Sequence, residues 1–393
     1  MKQKYLKFAV ESKEEYIYLL KTVISTPSPS YKEREVAVII KEFLEQEAEK
    51  NNHCRANIYT DDIWNVYCEI GGPFHADTEC MLFCAHTDTV FPDDKGPLSV
   101  REENGRIYGL GAKDNCANVC ALMFCAKYIF ENYKDIQQKL LLVFDVCEEG
   151  TGNLRGCRRI FERYSEIRQM IAFDLDYQKL FYRAVGSMRY EIDVNVRGGH
   201  AFHDFGNKNA IQIMSDIVQN FYKIKISDMK GSSSYNVGII RGGTSVNAIA
   251  EECHALFEWR SDCEQTLQQM DSLFEKILKK AEGQAQGEAH VKKKLIGKRP
   301  SAKEFTQDAK KRQDRLAERV IHIAEDITGQ SPSFIAGSTD CNIPLSEGIP
   351  AVCIGTCLGE GEHTRQEYIE ISSLEKGLVL ALEIVCGFLT ETV

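Results

Sequence analysis

Six residues of types that can bind metal or transfer protons follow apolar runs or lie in glycine-rich loops. They are His86 in FCAHTDTVFP, Asp114 in YGLGAKDNCANV, Glu148 and Glu149 in LLLVFDVCEEGTGN, Asp174 in MIAFDLD, and His363 in GTCLGEGEHTRQEY. Imidazole nitrogens and carboxylate oxygens are ligands for borderline and hard divalent ions, and a carboxylate can also act as a general base. These side chains could therefore hold metal ions, move protons, or do both.

Each stretch taken alone also has a plainer interpretation. His86 could be a structural histidine beside a capped turn, and Asp114 could be the N-cap of the helix that follows it. Asp174 could be a turn residue, and His363 could be an exposed loop histidine. The pair Glu148–Glu149 is harder to explain as surface, because it follows a continuous apolar strand and buried carboxylates need protons, cations or metal.

Together the stretches indicate a dinuclear metal centre. Two histidines, two aspartates and one glutamate form two sets of nitrogen and oxygen ligands, and one glutamate is left over as a general base. Two ions about 3.5–4 Å apart, bridged by a carboxylate, can activate water and polarise the carbonyl that it attacks. Asp88, two residues after His86, could accept the second ring N–H of that histidine and fix its tautomer.

The elements that must position these residues form an alternation of strands and helices. The continuous apolar run 139–146 predicts a strand covered on both faces, and ligands of such sheets bind at the carboxyl ends of the strands. The other predicted strands are 57–60, 65–70, 81–85, 170–175 and 351–355. The predicted helices are 13–50, broken at 25–30 with Ser30 as a possible N-cap, and 116–132, 153–163, 303–328 and 372–391.

A second, smaller domain is expected within the chain. Near residue 187 the sequence MRYEIDVNVRG alternates apolar and polar residues, as a half-exposed antiparallel strand does. A helix, two strands and a second helix over 264–282 follow. We therefore predict an α/β domain with a helix-covered, mostly parallel sheet from residues 1–186 and 298–393, and an inserted α+β (ferredoxin-like) domain at 187–297.

Composition narrows the class of protein. The 393 residues carry a net charge of −10, which argues against a nucleic-acid partner, because phosphate binding needs clustered basic residues. None of the 15 cysteines forms a Cys-x-x-Cys pair, and several lie in apolar stretches, as is typical of a reducing compartment. The N-terminus has neither a signal-peptide pattern nor a spanning segment. We expect a cytoplasmic protein with no membrane partner.

The order of these motifs resembles that of the co-catalytic zinc peptidases of family M20, which include glutamate carboxypeptidase, peptidase T, acetylornithine deacetylase and aminoacylase. The similarity covers nearly the whole chain. It implies two Zn²⁺ ions per subunit, with Co²⁺ or Mn²⁺ as substitutes. It also implies that the larger domain is catalytic and that the inserted one is a lid through which a homodimer forms.

The resemblance assigns a role to each residue that matches a family motif. His86 and Asp174 are implied ligands of one zinc, Glu149 and His363 of the other, and Asp114 is the implied bridge. Glu148 resembles the general base, and Asp88 the acid that orients His86. The Asp114–Asn115 peptide is expected to be cis. Lys113 precedes this pair, and Cys116 and Ala117 replace the Lys-Gly that commonly follows it.

Four further segments match substrate-contacting parts of the family. VRGGHAFHDFGNKNAI holds the lid histidine that helps stabilise the oxyanion, with His200 as the candidate and His203 as the alternative. GGTSVNAIAEECHALFEWR supplies Asn247. GKRPSA supplies Arg299, which could grip a substrate carboxylate or be an ordinary exposed arginine. AGSTDCNIPLSEGIPAV supplies Gly337 and Ser338 as candidate pocket residues.

These features favour a metal-dependent hydrolase that cleaves a peptide or amide bond in short peptides or N-acyl amino acids, like peptidase T or a carboxypeptidase. A deacylase of the acetylornithine deacetylase type is an alternative. A non-catalytic peptide- or metal-binding module on the same fold is another. Thiol catalysis is disfavoured because no convincing Cys/His arrangement is present.

Overall fold

The computed structural model describes residues 2–51, 54–72, 79–91, 98–134 and 136–390. The chain divides into two compact units: a larger one formed by Met1–Ala184 with Glu304–Val393, and a smaller one formed by Val185–Lys303. The smaller unit extends past the predicted boundary at 297/298, because its last strand continues to Arg299 and Ser301 Oγ donates to Ser261 O at 2.7 Å.

Ten α-helices are found in the described residues. They are α1 (Lys2–Glu11), α2 (Lys13–Ser25), α3 (Arg34–Lys50), α4 (Ala117–Asn132), α5 (Arg155–Arg163), α6 (Ala210–Phe221), α7 (Glu264–Gln284), α8 (Gln307–Thr328), α9 (Asn342–Glu347) and α10 (Ile371–Thr390). None of these helices, within the described part of the chain, combines the length and apolar character needed to cross a bilayer.

The strands of the same residues range from two residues to eleven residues in length. They are β1 (Ala56–Thr60), β2 (Val66–Ile70), β3 (Cys80–His86), β4 (Arg101–Glu103), β5 (Arg106–Tyr108), β6 (Lys139–Asp145), β7 (Ile167–Ala172), β8 (Lys179–Ala184), β9 (Gly186–Val196), β10 (Gly199–His200), β11 (Ser233–Gly242), β12 (Ala248–Ile249), β13 (Glu252–Ser261), β14 (Ala289–Arg299), β15 (Ser333–Gly337), β16 (Ala351–Ile354), β17 (Gly359–Glu360) and β18 (Tyr368–Glu370).

The larger unit is built on an eight-stranded mixed sheet in the order β1-β2-β6-β3-β7-β16-β8-β15. Its central strands β6, β3, β7 and β16 run parallel. Strands β1 and β2 are antiparallel to their neighbours on one side, and β8 is antiparallel to β16 on the other. This arrangement confirms the predicted α/β class, with the parallel part in the middle of the sheet.

The apolar run that predicted a strand covered on both faces is buried along its whole length in β6, and β3 beside it is equally buried. Helix α4 is buried over most of its surface and packs against α10 and α3. A separate small antiparallel sheet, ordered β17-β18-β5-β4, belongs to the same unit. The core thus keeps the carboxyl ends of the central strands rigid.

The smaller unit is an antiparallel four-stranded sheet in the order β11-β13-β9-β14, with helices α6 and α7 packed on it. The alternating burial along β13 follows the alternation of residue types in its sequence. Phe221, Phe257, Trp259 and Phe274 are fully or almost fully buried and in ring contact at its centre. The strand–helix–strand–strand–helix order of the predicted inserted α+β domain is present, and a further strand that was not predicted, β14, completes the sheet.

Candidate metal centre

Three adjacent parallel strands bring the first candidate residues to one edge of the large sheet. His86 is the last residue of β3 and pairs with Asp145, the last residue of β6. Glu148 and Glu149 follow β6, and Asp174 follows β7 on the other side of β3. Because the carboxyl ends of parallel strands meet at the same edge, residues distant in sequence become neighbours here.

His86, Asp114 and Asp174 form the first group of potential ligands. His86 Nε2 lies 3.0 Å from Asp114 Oδ1 and 3.6 Å from Asp174 Oδ1. All three residues are buried. Asp114 enters the group from the helical turn before α4, and the peptide bond between Asp114 and Asn115 is cis, as the resemblance implied.

Asp114, Glu149 and His363 form the second group. His363 Nε2 lies 3.2 Å from Asp114 Oδ2 and 3.0 Å from Glu149 Oε1. His363 comes from the loop between β17 and β18, and its side chain is 57% exposed. The two carboxylate oxygens of Asp114 therefore face two different histidines, one in each group.

The polar atoms of this cluster are chemically suited to divalent ions. Among the described residues, His86 Nδ1, His86 Nε2 and Asp174 Oδ1 are buried without a hydrogen-bond partner. Buried polar atoms are almost always satisfied, whereas these three lie 3.0–3.6 Å from neighbouring side-chain atoms without a hydrogen bond of good geometry, as side chains that converge on a bound cation do. Each group offers imidazole nitrogen and carboxylate oxygen, the donor set of co-catalytic zinc sites, with ligand atoms within 4.8 Å of one another.

The protonation of the cluster reflects the crowding of its charges. Burial would lower the pKa of His86, but Asp114, Asp174 and Asp88 outweigh it and raise that pKa well above its usual value. Hydrogen bonds to Asp114 and Glu149 raise the pKa of His363 to about 11. Burial and the charge of Asp114 raise the pKa of Glu149 to about 8. The cluster therefore holds protons that bound cations would displace.

Glu148 lies with His86 and Glu149 in a third group of donor atoms within 4.8 Å, and it is 4% exposed. It is thus next to both groups of potential ligands, at a site where a base could take a proton from water held between them. Proximity of this kind is compatible with a general base.

The segment that carries Glu148 and Glu149 is held by side chains from elsewhere in the chain. The Val146 and Cys147 amides donate to Asn65 Oδ1 and Glu33 Oε1, each at 3.0 Å. The Asp88 carboxylate accepts hydrogen bonds from the backbone amides of Glu148 and Glu149, and Ser30 Oγ donates to it at 2.6 Å. Ser30 is therefore not a helix cap, and α3 begins at Arg34 without a side-chain cap.

A second buried glutamate holds the loop of Asp114. Glu367 Oε1 accepts the amides of Lys113 and Asp114 at 2.8 and 2.9 Å, and its Oε2 accepts that of Gly111 at 2.9 Å. Burial raises the pKa of Glu367 to about 7, and it does the same for Glu33. Sequence reasoning missed both residues, because each stands in a charged stretch that reads as solvated surface.

Sequence reasoning also missed a buried acid pair behind His86. Asp145 and Asp340 lie within 4.8 Å of each other and of Cys84, and both are at least nine-tenths buried. Burial raises the pKa of Asp145 to about 7, and burial together with Asp145 raises that of Asp340 well above its usual value. The pair therefore retains a proton near neutral pH in the metal-free protein.

The candidate residues of the smaller unit form a cluster of their own. His200 in β10 is opposite Ala248 in β12, and the Ala201 amide donates to Asn247 O at 2.9 Å. His200 Nδ1 accepts the amides of Phe202 and His203 at 3.2 and 3.4 Å, so the neutral ring carries its proton on Nε2. The structure thus brings His200 and Asn247 together, with His203 beside them.

The remaining candidates lie in two places. Arg299 ends β14 opposite Ser187 and is only 5% exposed, so the interpretation as an ordinary exposed arginine is wrong. Gly337 ends β15, where a Cβ atom would lie 2.4 Å from the Phe181 ring, which explains the glycine. Ser338 follows it and is half-buried.

Residues 82–386 match the model of the peptidase family M20/M25/M40. The acetylornithine deacetylase of Buchnera aphidicola subsp. Schizaphis graminum is 29% identical over 213 residues, or 50% of this chain and 55% of that enzyme. The acetylornithine deacetylase of Aliivibrio fischeri strain MJ11 is 26% identical over 311 residues, or 75% of this chain and 78% of that enzyme. The chain thus spans about half of the first relative and three quarters of the second.

Two solved structures share the fold. A tripeptidase from Staphylococcus aureus subsp. aureus Mu50 superposes with a TM-score of 0.75 at 20% identity, covering 96% of this chain and 99% of that one. A dinuclear metal-binding peptidase of the M20 family from Bacillus subtilis superposes with a TM-score of 0.62 at 17% identity, covering 95% and 98%. Both similarities extend over nearly the whole of each chain.

Proposed function

This chain belongs to the peptidase family M20/M25/M40 and is therefore a hydrolytic enzyme, and we propose that it cleaves a peptide or amide bond in short peptides or N-acyl amino acids at a centre of two divalent ions. One observation carries the proposal. The two oxygens of Asp114 face His86 at 3.0 Å and His363 at 3.2 Å, which supports a role for this carboxylate between two ions.

The proposed ligands divide into the two groups of the centre. His86 and Asp174 would hold one ion, Glu149 and His363 the other, and Asp114 would bridge them. Zn²⁺ is the proposed native ion, with Co²⁺ or Mn²⁺ as substitutes, because nitrogen and carboxylate donors without thiolate suit all three. When bound, two such ions lower the pKa of water and polarise the carbonyl that is attacked.

The residues of the chain would manage the protons. Glu148 would take the proton of the attacking water and later deliver it to the leaving amine, which needs a carboxylate held in place next to the ligands. Asp88 provides that placement, because its carboxylate oxygens accept the backbone amides of Glu148 and Glu149. Its Oδ1 also lies 3.5 Å from His86 Nδ1, where it would orient the ring.

The roles of the other candidates stay predictions. His200 presents Nε2–H, the donor that stabilisation of an oxyanion needs, and Asn247 lies nearby, since its carbonyl oxygen accepts the amide of Ala201, the residue after His200. Arg299 would bind a substrate carboxylate, and Gly337 and Ser338 would line the substrate pocket. A homodimer through residues 187–297 would supply His200 from the partner subunit, and a solution mass equal to one chain would contradict it.

The test is a screen of the purified protein against dipeptides, tripeptides and N-acyl amino acids with added zinc, cobalt or manganese. We expect bound metal by elemental analysis, hydrolysis of at least one substrate class, and loss of activity on chelation that is restored by metal. Metal binding without hydrolysis of any of these substrates would favour the non-catalytic module, and hydrolysis that resists chelators would contradict the metal centre.

A deacylase is the second candidate, favoured by the similarity to acetylornithine deacetylases over up to 75% of this chain. The same screen separates the two. Faster turnover of N-acetylornithine than of tripeptides would identify a deacylase, and the reverse would identify a peptidase.

A further inference from the structure

Lys113 is a buried lysine whose ammonium group meets two carboxylates from distant loops. Its side chain is 3% exposed, and Nζ lies 2.9 Å from Asp176 Oδ2 and in hydrogen-bond contact with Glu362 Oε1. Asp176 is 5% exposed and Glu362 is 29% exposed. Burying an ammonium group is costly unless it is paired, so the two acids hold this side chain in one position.

The three residues are neighbours of three proposed metal ligands. Lys113 directly precedes the proposed bridge Asp114, Asp176 lies two residues after Asp174, and Glu362 directly precedes His363. The ion pairs therefore join the loop of the bridging carboxylate to the loops of a ligand from each of the two groups.

Both partner loops are held by further hydrogen bonds. Asp176 Oδ1 accepts the Gln178 amide at 3.0 Å, and the Gly355 amide donates to Asp176 O at 3.1 Å, so Asp176 is fixed within its turn. The Glu362 loop is tied back a second time, because Glu367 accepts the amides of Lys113 and Asp114.

We propose that Lys113 is a positioning residue that sets the spacing of Asp114, Asp174 and His363 for metal binding, by joining their loops through Asp176 and Glu362. The inference rests on the proposed metal centre and names what holds it in shape. Asp176 has a second cationic partner in Lys179 Nζ at 3.4 Å, so loss of Lys113 would free the Glu362 loop more than the Asp176 loop. The ion at Glu149 and His363 is accordingly the one that depends most on Lys113.

The test compares Lys113→Met, which keeps the apolar stem, with Lys113→Arg, which keeps the charge. Lys127→Met is the matched control, because Lys127 is 12% exposed and also pairs with two acids, Glu15 at 2.6 Å and Glu47 at 3.6 Å, on helices away from the centre. The readouts are the dissociation constants of both ions, by chelator competition, and the visible absorption of the Co²⁺-loaded protein.

We expect Lys113→Met to lower the affinity for the second ion, the one at Glu149 and His363, by about 10–100-fold, which is the usual effect of removing a group that orients a ligand. The visible absorption of the Co²⁺-loaded protein should change as well. Lys113→Arg should recover part of the affinity, and Lys127→Met should bind both ions as the wild type does. Equal ion affinities and spectra for wild type and Lys113→Met would overturn the inference. A wild-type protein that binds no metal would instead overturn the proposed function.

Lys113→Met leaves two acids without their shared cation, so it is expected to be less stable. The triple variant Lys113→Met, Asp176→Asn, Glu362→Gln removes all three charges and keeps the side-chain shapes, which relieves that penalty. It should fold and still bind the second ion about 10–100-fold more weakly. A folded triple variant with wild-type affinity for both ions would also overturn the inference.

Discussion

Asp88 holds the backbone of Glu148: its Oδ1 accepts the Glu148 amide at 2.9 Å, and its Oδ2 accepts the next amide, that of Glu149, at 3.0 Å. The same Oδ1 lies 3.5 Å from Nδ1 of His86. One carboxylate from the end of β3 therefore connects a proposed metal ligand, the proposed base and a ligand of the second ion. The resemblance implied only the first of these connections.

Asp88→Ala should lower both stability and metal affinity. It leaves two buried amides without their acceptor, at a cost of roughly 1–3 kcal/mol for each, and it leaves the Ser30 hydroxyl with only the more distant Glu149 O at 3.4 Å. We expect a loss of roughly 2–6 kcal/mol in the free energy of unfolding of the metal-free protein, measured by urea denaturation.

Asp262→Ala is the control for this prediction. Asp262 is buried in the smaller unit, and its Oδ1 accepts the Ser232 amide at 2.8 Å. The Asp262→Ala control should be less stable than the wild type but bind metal with the same affinity, because Asp262 lies outside the loops that carry the proposed ligands. If Asp88→Ala bound both ions with wild-type affinity, the contacts of Asp88 with His86, Glu148 and Glu149 would not contribute to metal binding.

Glu148→Gln should lower kcat by about 10²–10⁴-fold, the contribution typical of a positioned general base. Its metal content should equal that of the wild type, because Glu148 is not one of the proposed ligands. Elemental analysis and steady-state kinetics on one lot of protein check both statements. Glu47→Gln is a suitable control, since Glu47 is 3% exposed and lies on α3. Full turnover by Glu148→Gln would remove Glu148 from the base role.

The sequence was sufficient to predict where the ligand candidates stand along the chain. His86, Glu148, Glu149 and Asp174 each follow an apolar run that forms a buried strand, and the local pattern shows both features. The adjacency of β6, β3 and β7 was not derivable in the same way, because strand order is a property of the folded sheet. The resemblance to a family supplied what the local pattern could not.

The groups that support the ligands could not be predicted, because their partners are backbone amides far away in the sequence. Glu33 binds an amide 114 residues away, and Glu367 binds amides more than 250 residues away. Both stand among charged residues that suggest surface. The strands β8 and β15 and the helix α1 were missed for a simpler reason: β15 is only five residues long, and β8 and α1 mix charged and apolar residues with little periodicity.

Glu33→Gln should change how the stability of the metal-free protein depends on pH. Burial, with the charge of Asp88, raises the pKa of Glu33 from its usual 4.5 to about 7, so the folded state binds the proton more tightly than the unfolded state. Glu33 therefore contributes roughly 3 kcal/mol to the free energy of unfolding below pH ~4.5, and this contribution is lost as the pH rises through ~7. A glutamine accepts the same amides through Oε1 but does not titrate.

The variant should therefore gain stability relative to the wild type between pH 5 and pH 8, measured by urea denaturation at both values. Any pH-independent effect of the glutamine side chain on stability is the same at both pH values, so it cancels when the two differences between variant and wild type are compared. A difference between variant and wild type that is constant with pH would show that Glu33 titrates normally in the folded protein.

Metal binding should release protons at pH 7, and the affinity should fall as the pH is lowered. In the metal-free protein the pKa of His363 is about 11 and that of Glu149 about 8, so both proposed ligands of the second ion carry a proton at neutral pH. A cation binds only their deprotonated forms, so we expect about one to two protons released with that ion. As pH rises past 8 the release should shrink, because Glu149 is then already ionised.

Calorimetric titration with Zn²⁺ in buffers of different ionisation enthalpy counts these protons. His363→Ala should release about one proton fewer, because the imidazolium is removed. Asp114 would then lose one of its two histidine neighbours, and His86, whose group is intact, should still support the first ion. Binding enthalpies that do not vary with the buffer would mean that Glu149 and His363 carry no proton before the metal binds. That result would contradict the prediction, which follows from the crowding of Asp114, Glu149 and His363.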